Sequence, residues 1–217
     1  ISAAGEINDL RSILPQGAYV TKVKSGHDQT IWLGTNQGIL SLDPDLTIDA
    51  TYQVNVEEVI SSVEDIFITP DGELLATDFS SSFYSITDST WEIISIPSAL
   101  SHNSIFQSIT ATSDGAIWLG EWWKTGRIVK YWNGQWEIYG PQDGLDSGGY
   151  VWDLFSYDNT VLAATNNGAA RFDGNVWTMY LVGEDIRSVI ADEKGIIYAA
   201  GYDGEVFYSS DNQYQTW

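Results

Sequence analysis

The sequence predicts an all-β chain, a β-propeller of about five four-stranded blades. Three observations predict it: an apolar pair three residues apart that recurs five times, a turn and a short apolar strand after each pair, and no long helical run. The pairs are Val20/Val23, Val63/Ile66, Phe106/Ile109, Val151/Leu154 and Ile186/Val189, with first members 43, 43, 45 and 35 residues apart. Such a period fits one blade of four short strands, which cannot bury both faces alone and packs on its neighbours around a channel.

The elements follow in order along each repeat. The apolar pair marks the first, inner strand. The turns "GHDQT", "TPDGE", "TSDGA", "SYDNT" and "DEKG" come next, rich in the residues that hydrogen-bond their own backbone or accept positive φ. Second strands are "IWLGT" (31–35), "LLATD" (74–78), "IWLGE" (117–121), "VLAAT" (161–165) and "IYAAG" (197–201). A second turn, often with Gly, leads to the third strands "ILSLD", "FYSIT", "RIVKYW", "AARFD" and "EVFYSS". In three repeats a Trp opens a fourth strand: Trp91, Trp136 and Trp177. These three, with Trp32 and Trp118 at equivalent second-strand positions, read as packing residues.

The repeats fall near 19–58, 59–101, 102–146, 147–182 and 183–217 of a single domain spanning 1–217. The stretch "LRSILPQGAYVTKV" (10–23) is similar to "WEIYGPQDGL" and the "YVWDL" that follows it (136–154), so residues 10–14 read as a fourth strand without its first three. The expectation is that this N-terminal strand completes the last blade and closes the ring; a truncated piece of a larger propeller is the alternative. Exchanged between copies, the same strand would build chains or filaments.

The charge balance excludes several functions. Nine Lys and Arg against 30 Asp and Glu give a net charge of −21. A nucleic acid would be repelled, since phosphate affinity comes from basic residues, and an anionic membrane surface is disfavoured for the same reason. No apolar stretch approaches the roughly 18 residues of a membrane helix, so membrane insertion is not expected. The absence of cysteine rules out disulfides and thiolate chemistry. The chain opens "ISAAGE" without Met, as a cleaved secretory signal or a sequence boundary would leave it.

The unit around "SDGAIWLGE" and "GRIVKYWNGQWEIYGPQDGL", with "QTIWLGTNQGILSLD" and "NTVLAATNNGAARFDGNVWTMY", resembles the two-component regulator propeller repeat. The resemblance covers nearly the whole chain from residue 19 and implies an extracytoplasmic (periplasmic or secreted) sensing or binding propeller. The stretch "GEWWKTGRIVKYWNGQWEIYGP" is also faintly similar to a streptogramin-lyase propeller blade.

Two positions inside each inner strand break the repeat: Thr21/Lys22, Glu64/Asp65, Gln107/Ser108, Trp152/Asp153 and Arg187/Ser188. Scatter on a regular scaffold is where an asymmetric site would be built. The second departure is "GEWWKTGR" (120–127), a turn two residues longer than its counterparts. It would stand Trp122 and Trp123 beside Lys124 and Arg127 on the face of the inter-blade connections. An aromatic on a rigid loop stacks well on a sugar or a planar ligand. Candidate ligand-binding residues are therefore Trp122, Trp123, Lys124, Arg127, Trp152, Asp153, Glu64, Asp65, Gln107 and Arg187.

Catalytic motifs are absent: no HExxH, GxSxG or phosphate-cradling loop occurs. Only His27 and His102 are present, and "DPDLTID" (43–49) lacks the Gly and terminal Glu of an EF-hand loop, so neither metal nor cofactor is expected. The first reading is a non-catalytic binding module for a small molecule, a glycan or a protein. Self-assembly through the terminal strands is one alternative. A five-bladed glycoside hydrolase using Glu64, Asp65 and Asp153 is the other, and needs two carboxylates about 5 to 9 Å apart.

Overall fold

The computed structural model of the chain describes residues 11–26, 28–52, 62–87, 90–101, 104–122 and 125–209. It is an all-β propeller arrangement of five antiparallel sheets, each ordered from the inner strand outward. Blade 1 comprises β1 (Val20–Ser25), β2 (Ile31–Thr35), β3 (Gly38–Leu42) and β4 (Ile48–Tyr52). Blade 2 has β5 (Asp65–Ile68), β6 (Leu74–Thr77), β7 (Ser82–Thr87) and β8 (Thr90–Ser95). Blade 3 has β9 (Phe106–Ala111), β10 (Ile117–Glu121), β11 (Ile128–Trp132) and β12 (Gln135–Tyr139). Blade 4 has β13 (Val151–Tyr157), β14 (Thr160–Thr165), β15 (Gly168–Phe172) and β16 (Trp177–Tyr180). Blade 5 shows three strands among the described residues, β17 (Ile186–Ala191), β18 (Ile197–Gly201) and β19 (Val206–Tyr208).

The expected turns form as local chemistry dictates. In "TSDGA" the Thr112 amide donates to Ala116 O and the Thr112 hydroxyl to Asp114 Oδ1; "TPDGE" repeats this with Thr69 and Asp71. Blade 1 carries a fourth strand that no Trp announces. Residues 43–49 begin as a surface turn, with the Thr47 amide donating to Asp43 Oδ1, and end in that strand.

Apolar clusters lie between blades, as the repeat requires. Ile39 of blade 1 packs with Val63 and Ile66 of blade 2; Leu75 and Phe83 of blade 2 pack with Phe106 and Ile109 of blade 3. Trp118 and Ile128 of blade 3 meet Val151, Leu154 and Trp177 of blade 4, and Leu162 of blade 4 meets Ile186 and Val189 of blade 5. At Gly34 and Gly120 a Cβ would run into Val63 and Val151 of the next blade, so the missing side chain permits the close approach.

One expectation is corrected. Residues Arg11–Ile13 form a 3-10 turn instead of a closing strand, with the Leu14 amide donating to Arg11 O. No neighbouring strand among the described residues supplies ladder hydrogen bonds there, so the segment satisfies itself locally. Ile13 and Leu14 pack on Leu33, Leu40 and Leu42 of blade 1. Leu10 and residues 210–217, which the expected closure also involves, lie outside the described residues.

Candidate functional site

The two repeat-breaking positions divide by geometry. In blades 1, 3, 4 and 5 the inner-strand register slips at the first of them, leaving Thr21, Gln107, Trp152 and Arg187 as extra residues opposite no partner. These are β-bulges, which bend a strand and re-aim a side chain. The second positions remain in the ladder, and four of them, Lys22 with Asp65 and Asp153 with Ser188, tie blades together.

Asp65 shows the tie. It is wholly buried, and its Oδ2 accepts the Ile109 amide of the next blade at 3.1 Å while Oδ1 accepts its own neighbour's amide, Ile66, at 2.9 Å. Lys22 Nζ stands 3.0 Å and Lys24 Nζ 3.8 Å from Oδ1. Asp153 repeats the device between blades 4 and 5, accepting the Ser188 hydroxyl at 2.8 Å and the Val189 amide at 3.4 Å. Both carboxylates are thus engaged in inter-blade hydrogen bonds. Gln107 Oε1 and Asp78 Oδ1 are buried without a hydrogen-bond partner among the described residues.

Burial raises the Asp153 carboxyl above its ordinary range despite the Lys22 charge nearby. Glu64 is raised too, by burial and by Asp78. Burial alone would lower Lys22, but Asp65 and Asp153 outweigh it and hold the ammonium above its usual value. Exposed Asp43, Asp71 and Asp173 are lowered by hydrogen bonds from Thr47, Thr69 and the Val176 and Asn175 amides.

The signs give a pH dependence. Glu64 and Asp153 bind protons more tightly folded, so their contribution is present below about pH 4 and is lost as pH rises through their folded values. The lowered aspartates act oppositely, losing their contribution as pH falls below about 4. Lys22 holds its contribution until about pH 10 or above. Relief of self-repulsion in an acidic chain adds to the first effect. The thermal midpoint is expected to be higher at about pH 5 than at about pH 8, measured by calorimetry at fixed ionic strength; a flat or rising midpoint over that range would contradict it.

A continuous aromatic arc crosses the face of the inter-blade connections. Phe79, Trp122 and Tyr202 each follow the last residue of the aligned second-strand segment, at Asp78, Glu121 and Gly201, and stand on the hairpins of blades 2, 3 and 5. The Phe79 and Trp122 rings meet edge to face at 5.2 Å, and Trp122 meets Tyr150 at 6.1 Å. Tyr150 and Trp152 stack at 4.9 Å with planes 5° apart. The Arg187 guanidinium then sits 3.8 Å over Trp152 and 4.5 Å from Tyr202. Asp185 fixes this end, accepting from Trp152 Nε1 at 3.0 Å and Arg187 at 2.8 Å. Phe79 holds φ at 59°, a left-handed conformation uncommon for a bulky residue and a mark of sites where the surroundings impose geometry.

Of the predicted residues, Trp122, Trp152 and Arg187 meet on this arc. Asp65 and Asp153 are inter-blade ties that share the Lys22 charge, and Glu64 and Gln107 occupy equivalent places on blades 2 and 3. Arg127 is corrected: it faces inward. Its Nε and Nη2 donate to the two oxygens of wholly buried Glu121 at 2.8 and 2.7 Å, and Nη2 also to Ser104 at 3.0 Å. Trp123 and Lys124 lie outside the described residues. Phe79, Tyr150, Tyr202 and Asp185 were not singled out by the sequence; the available signal was the aromatic at the same hairpin position in three of five repeats.

No family model matches the chain, nor does any curated protein sequence. Solved structures do. Virginiamycin B lyase from Staphylococcus aureus is similar at TM-score 0.68 and 17% identity, over 86% of this chain and 68% of that one. The extracellular domain of the hybrid two-component system BT3049 from B. thetaiotaomicron is similar at TM-score 0.69 and 17% identity, over 88% of this chain. This chain spans 27% of that domain's length. The gluconolactonase XC5397 from Xanthomonas campestris is similar at TM-score 0.65 and 11% identity, over 88% and 71% of the two chains. Identities at this level relate the chain to these proteins by fold.

Proposed function

We propose that the chain is a non-catalytic, extracytoplasmic binding propeller that senses its ligand on the aromatic arc, with a carbohydrate as first candidate. The observation that carries this is the continuity of Phe79, Trp122, Tyr150, Trp152, Arg187 and Tyr202 across four blades. Tyr150 and Trp152 spend faces on each other and on Arg187, so they form a fixed base. Phe79 and Tyr202 are the exposed rings at its two ends. Rigid aromatics at the rim bind ring-shaped ligands with little ordering cost. Likeness to the extracellular domain of a two-component system supports a sensing role. The engagement of Asp65 and Asp153 in amide hydrogen bonds weighs against the hydrolase reading.

A glycan array followed by titration calorimetry tests this. Tyr202→Ala and Trp152→Ala are each expected to weaken binding at least tenfold, about 1.4 kcal/mol. Trp132→Ala, in blade 3 outside the arc, should leave it unchanged. Equal binding by all four proteins would remove the arc from recognition, and no binding to any glycan by the wild type would remove the carbohydrate.

A further inference from the structure

Blades 2 and 3 place a buried carboxylate at the same point, the end of the second-strand segment. In blade 3 it is Glu121, wholly buried and held by Arg127 at 2.7 and 2.8 Å. In blade 2 it is Asp78, 6% exposed. Its Oδ2 accepts the Tyr84 hydroxyl at 2.8 Å, while Oδ1 has no hydrogen-bond partner among the described residues. Ladder register sets Arg127 opposite Glu121 and Ser82 opposite Asp78, with the Ser82 hydroxyl engaged by Ser95 at 2.7 Å. Among the described residues, the blade 2 carboxylate therefore lacks the cation that its counterpart keeps, and a buried charge left without one is unfavourable.

Two further acceptors are gathered by its neighbour Thr77. The Thr77 carbonyl accepts the Glu64 amide at 2.8 Å, and the Thr77 hydroxyl donates to Gln107 O at 3.3 Å. Gln107 Oε1 is buried without a partner among the described residues, as Asp78 Oδ1 is. Burial raises the Glu64 carboxyl, and the nearby Asp78 charge raises it further. Phe79, the residue after Asp78, meets Trp122 at one end of the arc. At the other end the chain lodges a cation of its own, Arg187, against Trp152 and Tyr202.

From this missing cation we propose that the ligand supplies it, as a primary ammonium that enters beside Phe79 and Trp122 and reaches Asp78, Glu64 and Gln107. The inference rests on the arc as the recognition surface and narrows its carbohydrate to an amino sugar. An ammonium carries three donors, one for each acceptor, and the aromatic faces attract it on the way in. Gln107 sits at a bulge outside the ladder, so its side chain turns aside to admit the group without breaking a strand. The net charge of −21 favours the approach of any cation; Asp78 is the group that selects.

The test is titration calorimetry of a glucosamine oligomer and of the same oligomer fully N-acetylated, in mildly acidic buffer of fixed ionic strength. The wild type should bind the free amine roughly tenfold more tightly. Asp78→Asn and, as a second variant, Gln107→Met should each abolish that preference, whereas Tyr202→Ala should weaken both oligomers and keep it. Melting verifies folding: Asp78→Asn should melt no lower than the wild type, since no cation is stranded, and Glu121→Gln should melt lower. Equal affinity for the two oligomers overturns the proposal and leaves the arc standing. So does a preference that persists in Asp78→Asn, which is then attraction to the acidic surface at large, or a clearly lower midpoint in Asp78→Asn, which reveals a partner already in place. Spermidine bound with the same dependence on Asp78, and no oligomer bound, keeps the ammonium and removes the sugar. A wild type that binds neither oligomer nor spermidine overturns the ammonium, and binding of uncharged glycans then judges the arc by itself.

Discussion

Trp118→Ala is expected to cost about 4 kcal/mol of folding stability, within the usual range for deleting a buried tryptophan. For a chain of this size that lowers the thermal midpoint by roughly 8 to 16 °C. Trp118 is 2% exposed and joins two blades. Its ring stacks on Tyr139 of blade 3 at 5.6 Å and lies 5.0 and 6.1 Å from Phe172 and Trp177 of blade 4. Its Nε1 donates to Thr112 Oγ1, so truncation also leaves a hydroxyl short of a partner. Trp32, its equivalent in blade 1, is only partly buried, and Trp32→Ala should cost clearly less. Denaturant melts of the two variants decide it, and equal losses would refute the ranking.

Arg127→Ala is expected to cost about 3 kcal/mol, because it strands the carboxylate of Glu121 in the protein interior. The guanidinium engages both Glu121 oxygens, and its side chain is only 17% exposed. Thr125 donates to the same carboxylate but brings no charge. Replacing both partners, as Arg127→Met with Glu121→Leu, should recover most of the loss, since the double variant leaves no buried charge. The readout is the denaturation midpoint of the two single variants and the pair. A loss below about 0.5 kcal/mol in Arg127→Ala, the range of ordinary surface substitutions, would return this arginine to the ligand.

The inward placement of Arg127 on Glu121 shows why the candidate site is harder to read than the fold. Apolar pairs, Asp/Gly turns and short strands are written locally, and each recurs, so five blades are legible from residue order. The direction of Arg127 depends on Glu121 folding under the same hairpin, which its neighbours in sequence do not announce. The bulges were visible as broken repetition at Trp152 and Arg187, but one unpaired residue per strand leaves no compositional trace. Phe79 and Tyr202 emerge only when the five hairpins are superposed. The fourth strand of blade 1, expected from the four-stranded blade, was not located because Ile48–Tyr52 has no opening Trp. The likeness between residues 10–14 and 136–140 pointed to a strand, yet Arg11–Ile13 form a 3-10 turn, because a strand needs a paired edge that the described residues do not provide.

The recurrent bulge has a consequence for how such a surface changes. A residue opposite no ladder partner can be exchanged without shifting the ladder on either side, although Thr21 also donates to Val63 O and so helps join blades 1 and 2. Thr21, Gln107, Trp152 and Arg187 are one polar, one amide, one aromatic and one cationic choice at the same address, and the strands around them stay in step. On the proposed reading of the arc, recognition would drift one blade at a time, by single substitutions, while the architecture that displays it stays in place.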